Sequence, residues 1–172
     1  MTTFLKPRVD QIPTEIKECF RWGVWIASPR PNQPGKFNKA PRSAITGKPI
    51  SINRPEAFVD FETCWRAFGA GAYTGIGILL DGSDWIGVDI DNFANIPATK
   101  RQSVTSWLAE AFVQGAYVER SPSGSGLRAI FRGRFLGKGR KVGSLEIYQE
   151  GRFMTVTGHS LAAVGELTDN GS

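Results

Sequence analysis

Short apolar runs separated by turn residues dominate the pattern of this chain, and they predict strands more often than helices. Strands are predicted at residues 21–27, 75–80, 85–91, 116–119, 127–132, 145–149 and 152–158. Helices are predicted at 13–20, 55–68 and 99–114, where apolar residues recur at helical spacing. Residues 28–53 predict a long loop or a ragged hairpin. Because most strands are joined by short turns, we expect hairpins, with turns at 81–84, 121–126 and 150–151, and an α+β domain with a largely antiparallel sheet.

Asp89 and Asp91 are the most informative polar residues, because they interrupt the apolar run 85–91. Side chains alternate along a strand, so both carboxylates lie on one face and Ile86, Val88 and Ile90 lie on the other. Two carboxylates this close repel each other unless a cation lies between them, and Mg²⁺ or Mn²⁺ prefers such oxygen ligands. Asp91 alone could simply begin a turn, but that leaves Asp89 unexplained. The pattern therefore favours a metal site.

Glu146 is the candidate for a third acid. It alternates with two apolar neighbours, so it points to the opposite face of its strand. If that strand lies beside the one with Asp89 and Asp91, three carboxylates meet over one sheet surface. Three acids can hold two divalent cations roughly 3.5–4 Å apart, as in phosphoryl transfer. Taken alone, Glu146 is equally well explained as a solvated strand residue.

The segment 121–126, Ser-Pro-Ser-Gly-Ser-Gly, is the candidate phosphate-binding loop. Its small side chains let backbone N–H groups and hydroxyls approach a phosphate closely. Arg128 follows on the non-core face, where its guanidinium can bind a triphosphate. A Gly/Ser turn is also a common hairpin device, and Arg128 could be one more surface residue of a basic run. That run could be a solvated face or a track for a nucleic-acid backbone; it contains Arg120, Arg132, Arg134, Lys138, Arg140 and Lys141.

Composition adds weaker constraints. The 172 residues suffice for one domain, which we place at 1–165, and the polar residues 166–172 resemble the start of a linker. The formal net charge is +5, which is compatible with a polyanionic partner. Cys19 and Cys64 lack metal-binding spacing and are expected to be free thiols. No apolar run resembles a signal peptide or a membrane span, so we expect a cytoplasmic protein without membrane contact.

In order along the chain, these motifs resemble the primase-polymerase (Prim-Pol) domains of the archaeo-eukaryotic primase superfamily, especially those at the N-terminus of phage and plasmid replication proteins. The resemblance covers roughly residues 15 to 160. It rests on the acid-x-acid strand at 89–91, the Ser/Gly loop before Arg128, and the acid of 145–149 followed by Arg-Phe-x-Thr-x-Thr-Gly at 152–158. An upstream part also matches: Trp25, Lys36, Lys39, Pro41 and Thr46-Gly47.

The resemblance implies a primase-like catalytic core, with an RNA-recognition-motif-like sheet beside a small N-terminal α/β unit. It implies template-directed nucleotidyl transfer from nucleoside triphosphates on a DNA template and primer. Asp89, Asp91 and Glu146 would hold two Mg²⁺ or Mn²⁺ ions. The implied nucleotide-binding residues are Ser123, Gly124, Ser125, Gly126, Arg128 and Arg152, with Lys39, Arg132 and Thr157 as further candidates for template or phosphate contact. A helicase or primer-binding region is expected elsewhere in a longer chain.

One departure from the family leaves alternatives open. Arg128 stands where the family usually has His, and both residues can donate hydrogen bonds to a phosphate. If the position serves binding, activity survives; if it donates a proton, the rate should suffer. A catalytically weakened nucleotide- or DNA-binding module is therefore the alternative to an enzyme, and a metal-dependent nuclease is a third possibility. His159 is expected to be an exposed strand-end residue.

Overall fold

The computed structural model describes residues 3–137, 139–162 and 166. The expected linker at 166–172 lies outside the described residues apart from Glu166, and so does Lys138 of the basic run. Within the described part, no helix is long and apolar enough to cross a membrane.

Within those residues the chain forms three α-helices and eleven strands. The helices are α1 (Thr14–Cys19), α2 (Phe61–Ala70) and α3 (Ala98–Val113). The strands are β1 (Arg21–Trp25), β2 (Ser28–Pro29), β3 (Phe37–Asn38), β4 (Pro41–Arg42), β5 (Gly75–Asp81), β6 (Trp85–Ile90), β7 (Tyr117–Arg120), β8 (Leu127–Arg132), β9 (Arg140–Val142), β10 (Leu145–Tyr148) and β11 (Glu150–Val156).

The strands form two main antiparallel sheets and one small hairpin. The first sheet has the order β11-β5-β1-β4, and the second has the order β7-β8-β6-β10-β9. Strands β2 and β3 pair only with each other, which fits the ragged hairpin expected within 28–53. The prediction of an α+β domain with mostly antiparallel sheets is confirmed, and this architecture is compatible with a primase-like fold.

Two hydrophobic clusters hold these layers. The first sheet packs against α1 and α2 through side chains such as Ile16, Phe61 and Cys64. The second sheet packs one face against α3, where Leu108 is fully buried. The alternation predicted for 85–91 is confirmed, since Ile86, Val88 and Ile90 belong to this second cluster, whereas Trp85 belongs to the first.

The predicted hairpin between β5 and β6 is wrong. Strand β5 pairs with β1 and β11, whereas β6 pairs with β8 and β10, so residues 81–84 carry the chain from one sheet to the other. The turn between β10 and β11 also carries the chain from one sheet to the other, and the hairpin predicted there is therefore also wrong. Other strands are hydrogen-bonded to both edges of β5 and to both edges of β6. These two strands therefore cannot pair with each other, although they are neighbours in the chain. Of the three predicted turns, the one at 121–126 forms a hairpin as predicted, between β7 and β8.

The helix predicted from Pro55 begins later. Residues Pro55–Ala57 form one 3₁₀ turn, and the chain then extends so that Val59 exchanges backbone hydrogen bonds of 2.7 and 3.0 Å with Trp22. Helix α2 starts after Asp60, whose carboxylate accepts a 2.9 Å hydrogen bond from the backbone N–H of Thr63. An aspartate that satisfies a free N–H group is a strong helix start, and here it outweighs the proline upstream.

The second face of the second sheet is turned toward the first sheet. A Cβ atom on Gly87 would lie 2.7 Å from side-chain atoms of Leu80 and Met154, both in the first sheet. The missing side chain therefore lets the two sheets approach closely at this point. Asp89 lies on the same face of β6 as Gly87, two residues further along.

Candidate active site

A row of charged residues crosses this face of the second sheet, with one residue from each strand. Glu119 lies opposite Arg128, Arg128 opposite Asp89, Asp89 opposite Glu146, and Glu146 opposite Lys141. Residues directly opposite each other on antiparallel strands share a face and have Cβ atoms about 5 Å apart. The strands of Asp89 and Glu146 are thus neighbours, and the two acids face the same side.

Arg128 is buried in the middle of this row. Its Nε donates to Asp89 Oδ1 at 3.2 Å, and the side chains of Arg128 and Asp89 are only 6% and 15% exposed. Its Nη1 donates to the backbone oxygen and to the hydroxyl of Thr155, which belongs to β11. Arg128 therefore connects the second sheet to the first.

Glu146 is surrounded by donors as well. Lys141 Nζ and the Tyr148 hydroxyl donate to its two oxygens, and Arg152 Nη2 lies 3.5 Å from Oε2. The guanidinium of Arg152 also lies over the Tyr148 ring, 4.3 Å from its centroid. Hydrogen bonding to Glu146 raises the pKa of the Lys141 ammonium. These partners hold Glu146 toward the same side as Asp89.

Asp91 follows the last residue of β6 and is exposed. Its backbone N–H donates to the Ser144 oxygen at 2.8 Å, which keeps it beside the start of β10. Within 3–137, 139–162 and 166, no three His, Cys, Asp or Glu side chains are arranged as a ready metal site. The donor types nevertheless fit a hard divalent cation, because two carboxylates oppose each other on paired strands and a third follows two residues later.

A cavity of about 760 Å³ lies over the acidic end of the row. Asp89, Asp91, Arg128, Lys141 and Glu146 line it. The hairpin of β2 and β3 contributes further lining residues, which include Arg30, Lys36, Phe37 and Asn38, and Lys39 and Arg152 complete the basic part. The lining thus combines several cations with three acids, which suits a polyanionic ligand that arrives with divalent cations.

The Ser/Gly loop forms one wall of this cavity through Ser123 and Ser125. Their hydroxyls lie 2.9 Å apart. Gly124 has a φ of +76°, which allows the tight turn at the tip. A Cβ atom on Gly126 would lie 2.6 Å from the backbone oxygen of Ile90, so glycine lets the loop pack against the end of the strand that carries Asp89.

Lys39 also lines the cavity, close to the acids and Arg128. Burial lowers the pKa of its ammonium to about 8, and the charge of Arg128 adds to this effect. Asp89 and Asp91 act in the opposite direction. Lys39 is therefore a cation near the acids that can lose its proton slightly above neutral pH.

Glu119 is a residue that the sequence did not single out. It is fully buried and accepts hydrogen bonds from the Tyr117 hydroxyl at 2.8 Å, from Thr157 N at 3.0 Å and from Gly158 N at 2.8 Å. Burial raises its pKa, opposed first by the charge of Arg128 and then by these donors. The sequence does contain a signal for it: in the short hairpin predicted around 121–126, Glu119 lies opposite Arg128, and such a pair indicates an interaction between the two side chains.

Several residues considered from the sequence do not line the cavity, among them Gly124 and Gly126 of the Ser/Gly loop. Arg132 pairs with Glu15 at 2.7 Å and lies over the Trp85 ring, on an exposed surface. Thr157 is 1% exposed, and its hydroxyl donates to the Arg120 backbone oxygen at 2.7 Å. His159 Nε2 lies 2.8 Å from the Lys6 backbone oxygen.

Comparison with known proteins supports a relationship to primase-polymerases at low identity. The chain is 26% identical over 158 residues to a protein named DNA Primase-polymerase from Nitratiruptor phage NrS-1. The alignment covers 87% of this chain and 21% of that protein, so the chain spans about a fifth of the length of this relative. No protein-family model matches the chain.

Proposed function

We propose that this chain is a primase-polymerase catalytic domain, which adds nucleotides from nucleoside triphosphates to a primer strand on a DNA template. The observation that carries this proposal is the position of Asp89 directly opposite Glu146, at the floor of a cavity bordered by the Ser/Gly loop. The similarity to a phage protein of that name agrees with the same activity. Replication of a phage, a plasmid or another mobile element is the setting that the proposal favours.

The triphosphate binds along the basic side of the cavity. The hydroxyls of Ser123 and Ser125 and the backbone N–H groups of their loop donate to phosphate oxygens. Arg128, Arg152 and Lys39 supply positive charge, and a planar guanidinium can bind two oxygens at once. Together these groups fix the α-phosphate in line with the attacking hydroxyl, and such positioning provides much of the rate of phosphoryl transfer.

Asp89, Asp91 and Glu146 would hold two divalent cations, Mg²⁺ or Mn²⁺. When bound, such ions activate the attacking hydroxyl and neutralise charge that develops on the phosphates. The carboxylates contribute negative charge and orientation, since the strand pairing of β6 and β10 fixes the backbone positions of Asp89 and Glu146.

A binding module without synthesis is the second candidate, and one observation favours it. The guanidinium of Arg128 is already hydrogen-bonded to Asp89 through Nε and to Thr155 through Nη1, so it must give up one of these partners to bind two phosphate oxygens at once. If that exchange is too costly, the cavity can hold nucleotides or DNA without turnover. Because the chain spans a fifth of its relative, a helicase or a primer-binding region elsewhere in a longer protein is part of the proposal.

Template-dependent incorporation tests the proposed function. The wild-type chain should add labelled nucleotides to a primed DNA template in Mn²⁺, and EDTA should stop the reaction. Asp89→Asn should slow incorporation by about a thousandfold, whereas Arg132→Gln should retain it because Arg132 lies outside the cavity. Salt-sensitive DNA binding without any product in Mn²⁺ or Mg²⁺ would support the binding module instead. Degradation of the DNA without nucleotides would identify a nuclease.

A further inference from the structure

Three cations of the cavity are paired with carboxylates that the proposed function assigns to metal. Arg128 Nε lies 3.2 Å from Asp89 Oδ1, and Arg152 Nη2 lies 3.5 Å from Glu146 Oε2. Lys141 Nζ pairs with the other oxygen of Glu146. A triphosphate would bind to these same cations. The acids and the triphosphate therefore compete for one set of positive charges.

The pair formed by Arg128 dominates this competition because it is buried. The side chains of Arg128 and Asp89 are 6% and 15% exposed, whereas Lys141 is 62% exposed and Arg152 is 41% exposed. Ion pairs with an exposed partner are screened by water and salt and contribute little. Arg128 is also fixed by its hydrogen bonds to Thr155 on the other sheet.

We propose that Arg128 couples the binding of divalent cations to the binding of the triphosphate. Without a triphosphate, its guanidinium neutralises Asp89, occupies one carboxylate oxygen and weakens the affinity of that carboxylate for a divalent cation. When a triphosphate binds, the guanidinium pairs with its phosphate oxygens, and Asp89 is then free to bind a metal ion. This inference rests on the proposed function for the location of both ligands. Such coupling is reciprocal, so metal binding at Asp89 strengthens triphosphate binding by the same factor.

The observed arrangement of the acids agrees with this exchange. Asp89 is drawn toward Arg128 on one side, and Glu146 toward Lys141 and Arg152 on the other. In the described part of the chain these acids are engaged by cations of the protein, and no group of three acids is arranged as a ready metal site. Release of Arg128 frees the Asp89 oxygen that it now occupies.

Metal affinity without nucleotide provides the first test. Binding of Mn²⁺ to the full chain is measured by electron paramagnetic resonance for wild type, Arg128→Gln and Lys141→Gln. Both variants lose one positive charge beside an acid, but only Arg128 forms a buried pair. Removing a close opposite charge changes cation affinity by about tenfold or more, so Arg128→Gln should bind Mn²⁺ at least that much more tightly. Lys141→Gln should change the affinity by less than about twofold.

Unchanged or weaker Mn²⁺ binding by a folded Arg128→Gln chain would overturn the coupling. If that variant does not fold, Arg128→Met takes its place. Methionine keeps an unbranched side chain but removes the charge beside Asp89, so Mn²⁺ affinity should again rise by about tenfold or more. No rise in Arg128→Met would likewise overturn the coupling.

Triphosphate affinity without metal provides the reciprocal test. A nucleoside triphosphate is titrated in EDTA into Asp89→Asn and Asp91→Asn. Each variant loses one negative charge, but only Asp89 holds Arg128. Removing a close charge changes affinity by about tenfold, and part of this effect is shared by both variants. The triphosphate affinity of Asp89→Asn should therefore rise at least about fivefold more than that of Asp91→Asn. Equal gains would overturn the coupling.

These measurements separate the coupling from the proposed function, because neither depends on synthesis. Both affinity changes in a chain that incorporates no nucleotide would keep the coupling and overturn the polymerase assignment. Incorporation by wild type with no effect of Arg128→Gln on Mn²⁺ affinity would overturn the coupling alone.

Discussion

The buried carboxylate of Glu119 accepts hydrogen bonds of 3.0 Å from the backbone N–H of Thr157, and through them strand β7 of one sheet holds the chain that leaves β11 of the other. Gly158 N and the Tyr117 hydroxyl donate to the same carboxylate. Glu119 thus joins the two sheets close to Arg128, which makes a parallel connection through Thr155.

Glu119→Gln should destabilise the fold. A glutamine places an amino group where Oε1 now accepts from Thr157 N, so two donors face each other in a buried site, and the charge opposite Arg128 disappears. Such losses cost about 2–4 kcal/mol, to be measured as the free energy of unfolding in urea. Glu15→Gln is the control, because the exposed pair of Glu15 with Arg132 contributes about 1 kcal/mol or less. Equal effects of the two substitutions would show that Glu119 does not connect the sheets.

Lys39 should titrate near pH 8. Burial and the neighbouring Arg128 lower its pKa to about 8, so its charge is present below that pH and is lost above it. Because the unfolded chain keeps this proton up to about pH 10.4, the contribution of Lys39 to stability rises with pH between these values. After reductive ¹³C-methylation, one NMR signal should titrate near pH 8 and should be missing from Lys39→Gln. The absence of any such signal in wild type would contradict the position of Lys39 beside the charged row.

Gly126→Ala should impair nucleotide binding more than folding. Its Cβ atom would lie 2.6 Å from the backbone oxygen of Ile90, so the Ser/Gly loop must move away from the end of β6. A displacement of about 1 Å at a site can cost up to about a hundredfold in activity, and we expect a KM for nucleoside triphosphate at least about tenfold higher. Gly69→Ala in α2 is the control, because its Cβ atom meets no other atom within 4 Å. An unchanged KM in Gly126→Ala would separate the loop from the nucleotide.

Much of the fold was predictable because alternation and helical spacing report which face of an element is buried. Strand β6, strand β8 and helix α3 are predicted in this way, and so is the shared face of Ile86, Val88 and Ile90, opposite Asp89. Alternation does not specify which strands pair. The pairing of β5 with β11 joins residues more than sixty positions apart in the chain, and no local sequence pattern predicts it.

The candidate site was predictable to a different extent. The acids at 89, 91 and 146 and the Ser/Gly loop stood out because such residues are unusual within or beside apolar strands. The ion pair of Arg128 with Asp89 could not be foreseen, since it depends on the register between β8 and β6. Glu119 escaped notice because its role depends on a chain segment from the other sheet.

In the proposed function, Asp89 and Glu146 from two paired strands act as one unit in nucleotidyl transfer. Single-turnover primer extension in Mn²⁺, compared for wild type, Asp89→Asn, Glu146→Gln and the double variant, tests it most directly. Each single substitution removes several kcal/mol of charge stabilisation, so each should slow extension by about a thousandfold. The double variant should be no slower than the worse single variant, because residues that act together are not additive. Extension by Glu146→Gln at the wild-type rate would contradict the account.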